Sequence, residues 1–295
     1  MQDIAVIGTG NMGAPMSTNL SRSGFTVHAF DIAGEKLAPL ETHGVRACKD
    51  HADAIAGADM VLTMLPTAHE VRDVFDRHFT QYAGPGCLLV DSSTIDLEDA
   101  RRLHQDAAGS GYKMLDAPVS GGTAGAAAAR LTFMVGGLSD HLDNARPVLE
   151  AMGARIIHCG GPGMGQAAKM CNNMMLAIQM ASVVEGFHLA KQVGLGDGKL
   201  YEVAHSSSAD CFSLTAFCPV PGVVENVPAE RDYEPGFSTD LMLKDIGIAL
   251  DAAKRSGLSL TLAPLAASIY RRFSNAGYGD RDFSAIYRLL ATDEE

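Results

Sequence analysis

Residues 4–13 read Ile-Ala-Val-Ile-Gly-Thr-Gly-Asn-Met-Gly, four apolar residues followed at once by Gly8-x-Gly10-x-x-Gly13. An apolar run this short, stopped by glycine, fits a strand buried on both faces. Helical periodicity follows over 12–22, and a second apolar run at 26–30 ends in Asp31. That aspartate lies 18 residues past Gly13, close to the roughly 20 expected of a dinucleotide-binding strand–helix–strand unit. Gly8 permits the tight turn, Gly10 lets a pyrophosphate approach the backbone, and Gly13 lets helix and strand pack closely. The N–H groups at Asn11, Met12 and Gly13 open the helix and hold the pyrophosphate. Asp31 accepts from a ribose 2′-hydroxyl and repels a 2′-phosphate. No arginine follows it in 32–35, so NAD is expected over NADP.

Outward from this unit, apolar runs at 59–65, 87–91 and 113–118 alternate with helical stretches at 34–43, 68–77 and 96–108. Such alternation is the mark of a parallel sheet covered on both faces. Runs at 131–137 and 154–160, separated by a helix over 139–152, extend the sheet. Ligands bind outside the carboxyl ends of parallel strands. Leu65-Pro66 and Ser92-Ser93-Thr94 stand at two such ends, where they serve equally well as turn and cap residues or as cofactor contacts. The alanine run 124–129 is either a close backbone approach or a plain helix start.

From Gly163 to Gly194 the period is helical, and no charged residue lies between Lys169 and Glu185. So long an apolar helix needs a wrapping of other helices or a second subunit, and a homodimer or homotetramer is expected. The rest reads as helices joined by one Pro/Gly-rich stretch, 218–228. The expected fold is therefore α/β: a Rossmann-type doubly wound domain at 1–162, then an all-helical domain at 163–295 for substrate and oligomerisation, joined by a long helix.

The 295 residues, divided by about 150 per domain, agree with two domains. With 23 Lys plus Arg against 35 Asp plus Glu, the formal charge is −12. A general nucleic-acid or anionic-membrane binder needs a basic field, so neither partner is expected. No 18-residue apolar run and no leader pattern is present, and a cytoplasmic protein is expected, with a processed organellar form left open. Six scattered cysteines without a C-x-x-C suggest reduced thiols. No histidine pair has metal-ligand spacing, so no metal is expected.

Four further stretches carry more specific information: Asp116-Ala-Pro-Val-Ser-Gly-Gly-Thr-Ala-Gly125 with LTFMVGG after it, Gly163-Met-Gly-Gln-Ala-Ala-Lys-Met-Cys-Asn-Asn173, Phe237-Ser-Thr-Asp-Leu-Met-Leu-Lys-Asp-Ile246, and the pair CPVPGVVEN and GYGDRDFS (277–284). In order behind the glycine fingerprint, they resemble the β-hydroxyacid dehydrogenase family from about residue 3 to 290. The resemblance implies that Lys169 and Asn173 are catalytic. It assigns Ser120, Gly121, Gly122 and Lys244 to the substrate carboxylate, has Asp245 orient Lys244 or contact the substrate, and makes Leu65, Pro66, Thr94 and Lys244 cofactor contacts. The residues alone make this plausible for Lys169: a lysine opening an uncharged helical stretch can be buried and tuned for proton transfer, though a helix-end lysine also snorkels to water. Asn173, four residues on, shares its helix face.

Four positions depart from the family pattern. Ala129-Arg130 stands where Gly-Thr is common, Phe212 where relatives carry a tryptophan, and Phe217 where they carry a tyrosine. The lining becomes less polar, which leaves the reaction type intact and the substrate open. The expected reaction is NAD-dependent oxidation of a small β-hydroxyacid, 3-hydroxyisobutyrate foremost, in valine breakdown. The alternatives are reduction of tartronate semialdehyde or a similar short semialdehyde, oxidation of L-serine, and, in a different class, a catalytically idle NAD-binding module. The mark of the last, replacement of the lysine–asparagine pair, is missing.

Overall fold

A computed structural model describes residues 1–291, which divide into two compact units, Met1–Lys169 and the chain from Met170 onward. The first holds a nine-stranded sheet. Its strands are β1 (Asp3–Ile7), β2 (Thr26–Phe30), β3 (Arg46–Ala47), β4 (Met60–Thr63), β5 (Leu88–Asp91), β6 (Lys113–Asp116), β7 (Val119–Ser120), β8 (Leu131–Gly137) and β9 (Gly153–Gly160). The order is β3-β2-β1-β4-β5-β6-β8-β7, with β9 beside β8. The parallel run β3-β2-β1-β4-β5-β6 reverses direction of travel at β1, the switch point where dinucleotides bind in such sheets.

Alternation along β1 shows why the runs are apolar throughout. Ile4 and Val6 join a core with Met16, Leu20 and Val27 on one side. Ala5 and Ile7 join a second core with Ile55, Val61 and Phe79 on the other. Both faces are covered, so neither parity can be polar.

The expected extension of the sheet is present, but β8 runs antiparallel to β6 and to β7, while β9 returns parallel to β8. A parallel step from β6 to β8 needs a full crossover helix. The intervening chain instead contains β7 and one six-residue helix, Gly122–Ala127. The alanine run thus begins inside that helix, and the Asn19 amide donates to its Ala126 carbonyl at 2.7 Å.

The long helix spans Met164–Gln192. In the second unit, Ala177, Met180, Val184 and Phe187 recur at helical spacing in a core with Met242, Ile246, Tyr270, Phe273 and Phe283. Helices Asp197–His205, Thr239–Ser256 and Leu262–Phe273 supply most of the remaining regular structure. Residues 206–238 are mostly irregular, with only the short helices Phe212–Thr215 and Pro228–Arg231. Residues 292–295, included in the expected helical domain, lie outside the described residues.

Candidate active site

The glycine fingerprint forms the turn its spacing requires. Gly8 has φ +94°, and a Cβ there would stand 2.4 Å from the Met64 carbonyl oxygen. A Cβ on Gly13 would stand 1.9 Å from the Gly8 oxygen, so helix Gly13–Arg22 approaches β1 only because that position is bare. At Gly10 a Cβ would meet nothing within 4 Å, leaving open space beside the backbone at the helix start. Exposed Asn11 and half-buried Met12 complete the turn, and neither a side-chain cap nor an acidic residue occupies the helix N-terminus. An anion is favoured there by the helix dipole and the N–H groups. These features fit a dinucleotide pyrophosphate.

Asp31, at the end of β2, is buried against the same turn. Its Oδ2 accepts from the Thr9 N–H at 2.7 Å and the Thr9 hydroxyl at 3.3 Å, and its Oδ1 accepts from the Ala33 N–H at 2.9 Å. Burial alone pushes this carboxyl up, but those N–H donors and Lys36 outweigh it and hold it below its ordinary value. Lys36 Nζ lies 3.6 Å from Oδ1. Lys36, a lysine rather than an arginine and five residues past Asp31, carries no local sign of this contact in the sequence.

The ends of β4 and β5 are tied together. The Leu65 N–H donates to Ser93 Oγ at 2.9 Å. Asp91, wholly buried, accepts from the Thr63 hydroxyl at 2.8 Å and from the Ser93 N–H at 3.1 Å through Oδ1. Its Oδ2 and the neighbouring Ser92 Oγ are buried without a hydrogen-bond partner. Burial pushes the Asp91 carboxyl up to about 6, with the nearby Asp116 adding to the effect. Pro66 is exposed and Thr94 half-buried on the two loops these bonds organise.

At the end of β7, Ser120 is half-buried and Gly121 takes φ +128°, opening helix Gly122–Ala127. Gly122 also has positive φ, +61°. This is backbone that glycine adopts easily, and it exposes N–H groups in the turn.

Lys169, 9% exposed, lies in the second turn of the long helix, one turn before Asn173, 1% exposed. Asn173 Nδ2 donates to Asp245 Oδ2 at 2.6 Å, and its Oδ1 accepts from the Asn172 amide at 3.0 Å. Asp245 Oδ1 is buried without a hydrogen bond, and Lys244 Nζ makes an ion-pair contact with it at 3.5 Å. The second unit therefore brings Asn173, Asp245 and Lys244 together. Its aromatic candidates meet as well: Phe212, half exposed, lies 5.5 Å from Phe217 between ring centroids, and Phe217 lies 5.0 Å from Phe283.

Sequence reasoning assigned no role to several groups that hold these parts. Asp282, wholly buried, accepts from the Gly236 and Phe237 N–H groups and from Ser284, fixing the segment that leads into helix Thr239–Ser256. Burial raises its carboxyl pKa against those bonds. Asp116 and Gln166 organise the start of the long helix. Asp116, Gln166 and Asp282 each lie inside a quoted family motif, which was the available signal.

Comparison with known proteins agrees with this geometry. Residues 3–161 match the family model described as the NAD-binding domain of 6-phosphogluconate dehydrogenase. Residues 163–290 match the NAD-binding model of NADP-dependent 3-hydroxyisobutyrate dehydrogenase. A probable 3-hydroxyisobutyrate dehydrogenase of Mycobacterium tuberculosis is 48% identical over 98% of each chain. An NAD-dependent L-serine dehydrogenase of Pseudomonas aeruginosa is 45% identical, again over 98% of each. Among solved structures, the M. tuberculosis 3-hydroxyisobutyrate dehydrogenase with L-serine superposes with a TM-score of 0.91 at 48% identity, covering 98% of this chain and 99% of that one.

Proposed function

This chain belongs to the 3-hydroxyisobutyrate dehydrogenase family of NAD-binding oxidoreductases, and from that membership we propose that it oxidises 3-hydroxyisobutyrate to methylmalonate semialdehyde, a step of valine breakdown. The observation that carries the reading is Lys169, a buried lysine one helical turn before the more deeply buried Asn173. NAD, when bound, supplies the hydride acceptor. Lys169 takes the hydroxyl proton in oxidation and returns it in reduction. Asn173, held by Asp245, fixes the hydroxyl. Ser120, Gly121 and Gly122 offer donors to the carboxylate, which Lys244 also attracts. Gly8, Gly10, Asn11, Met12 and Gly13 hold the pyrophosphate, Asp31 the ribose, and Leu65, Pro66 and Thr94 the remainder of the cofactor. The functional division is proposed between residues 162 and 163.

Replacing Lys169 with alanine tests the assignment. A folded Lys169→Ala protein should lose about 10²- to 10⁴-fold in turnover, the usual contribution of a positioned acid–base group. Wild-type turnover on 3-hydroxyisobutyrate, glycerate and L-serine alike would remove Lys169 from the chemistry.

L-serine is the second substrate reading, favoured by the 45% identical relative of that activity. Phe212 and Phe217 speak for 3-hydroxyisobutyrate, because a lining without hydroxyl or indole N–H suits a methyl group better than an ammonium. Initial rates on the two substrates decide between them. A cytoplasmic location is proposed, and among the described residues no helix is long and apolar enough to cross a membrane. Met175 and Leu189 are 56% and 66% exposed on the long helix, and Val193, just past its end, is 70% exposed. Covering these exposed apolar side chains is the work of a second copy, in a homodimer or homotetramer. A monomer by size exclusion with light scattering would refute that.

A further inference from the structure

We propose that Gln166 is a positioning residue for the dehydrogenase reaction, its side-chain amide fixing Thr94 against the helix turn that leads to Lys169. Gln166 is 2% exposed in the first turn of helix Met164–Gln192. Its Nε2 donates to the Ser93 carbonyl at 2.7 Å, and its Oε1 accepts from the Ile95 N–H at 3.2 Å. The two bonds bracket Thr94 from both sides, as a neighbouring strand would. A side chain thus sets the loop that follows β5.

The main chain of the same turn is fixed separately. The Gln166 and Gly163 N–H groups donate to Asp116 Oδ2 and Oδ1, each at 2.9 Å. Asp116 is wholly buried and its Oδ1 lies 2.8 Å from His104 Nε2. A Cβ on Gly165 would stand 2.3 Å from the Met134 carbonyl oxygen, so the turn has no room to move toward the strand ends. Lys169 follows Gln166 by three residues and shares its helix face. Any shift of the Gln166 amide therefore moves a cofactor-loop residue relative to the proton-transfer residue. A misplacement of about 1 Å between such groups costs on the order of 10²-fold in rate. Glutamine suits the position because one head must both donate and accept; an ionised glutamate only accepts.

The proposal rests on the roles given above to Thr94 and Lys169, and one set of variants separates the two levels. Wild type, Lys169→Ala, Gln166→Leu and Gln166→Glu are compared for melting temperature, kcat and KM for NAD between pH 6 and 8.5. Gln166→Leu should lower kcat about 10²-fold and raise the KM for NAD severalfold. Gln166→Glu should be poor at pH 8.5, where the carboxylate opposes the Ser93 carbonyl. Its kcat/KM relative to wild type should recover about tenfold at pH 6, as the buried carboxyl takes up a proton and donates again. Asp116, His104, Asp91 and Asp96, the titratable neighbours, are common to both proteins and cancel in that ratio. A residue that only supports the fold gives a ratio flat with pH. A flat ratio, or wild-type kinetics in Gln166→Leu, overturns the positioning role while an inactive Lys169→Ala leaves the site reading standing. An active Lys169→Ala removes both. If Gln166→Leu does not fold, the glutamate ratio alone decides.

Discussion

Replacing Asp31 with asparagine should exchange cofactor preference, and the structure sets the size of each part. The carboxylate is 7% exposed and held ionised by the Thr9 and Ala33 N–H groups, with Lys36 at 3.6 Å. A hydrogen bond from the ribose 2′-hydroxyl to such a charged group contributes about 1.5–3 kcal/mol. At about 1.4 kcal/mol per tenfold, Asp31→Asn should lower kcat/KM for NAD roughly 10- to 100-fold. For NADP the sign reverses. A phosphate charge about 4 Å from the carboxylate costs on the order of 4 kcal/mol at an effective dielectric of 20. Removing it, discounted for the open setting of Lys36, should raise kcat/KM for NADP about 10²-fold. Lys36 then becomes a partner for the phosphate. Lys36→Ala in the Asp31→Asn background should take back about threefold to fivefold, the scale of an exposed ion pair. The variant also turns one acceptor into an amide that faces the Thr9 or Ala33 N–H. It should therefore lose about 1–3 kcal/mol of stability, seen as a lower melting temperature. The assay is initial-rate kcat/KM with each cofactor at fixed substrate and pH. A change below twofold for NAD, or no gain for NADP, would show that Asp31 does not read the ribose.

Two further outcomes concern Asp91 and Phe217. Asp91 is pushed up to about 6 from 3.8 by burial, so the folded protein binds its proton more tightly than the unfolded chain does. Its charge therefore weakens the fold above pH 6, and that penalty is relieved as pH falls through 6 toward 4. Urea unfolding should show wild type gaining roughly 1 kcal/mol relative to Asp91→Asn between pH 7.5 and 5.5; no difference in the pH slopes would place the Asp91 proton elsewhere. Phe217, packed at 5.0 Å on Phe283, lacks the hydroxyl that a tyrosine would offer there. Phe217→Tyr should raise the L-serine to 3-hydroxyisobutyrate rate ratio about threefold to tenfold, one hydrogen bond's worth; an unchanged ratio would take this ring out of substrate choice.

What could be seen in the sequence, and what could not, divides by how far a residue's partner lies along the chain. The run 26–30 and the run 131–137 are strands with the bounds their apolar patterns suggest, because burial on both faces leaves a signal in consecutive residues. The fingerprint was legible for the same reason: Gly8, Gly10 and Gly13 do their work within one turn, and Asp31 closes it from the adjoining strand. The direction of β8 was not legible, since 131–137 is equally apolar whichever way it pairs. Direction is fixed instead by the short β7 hairpin arrangement before it. The groups that tie the site together are hidden for a related reason. Gln166 meets Ser93 across 73 positions, Asp116 meets Gly163 across 47, and Asn173 meets Asp245 across 72. A glutamine or aspartate in a helix turn carries no local sign of such a bond, because exposed copies of the same residues satisfy themselves with water. Burial is what converts them: once water is excluded, each polar head must find its partner in the fold or cost about 1–3 kcal/mol. Polar residues inside otherwise apolar or small-residue motifs, such as Asp116 before Ala-Pro and Gln166 before Ala-Ala, are therefore the positions where a sequence most often conceals a long-range bond.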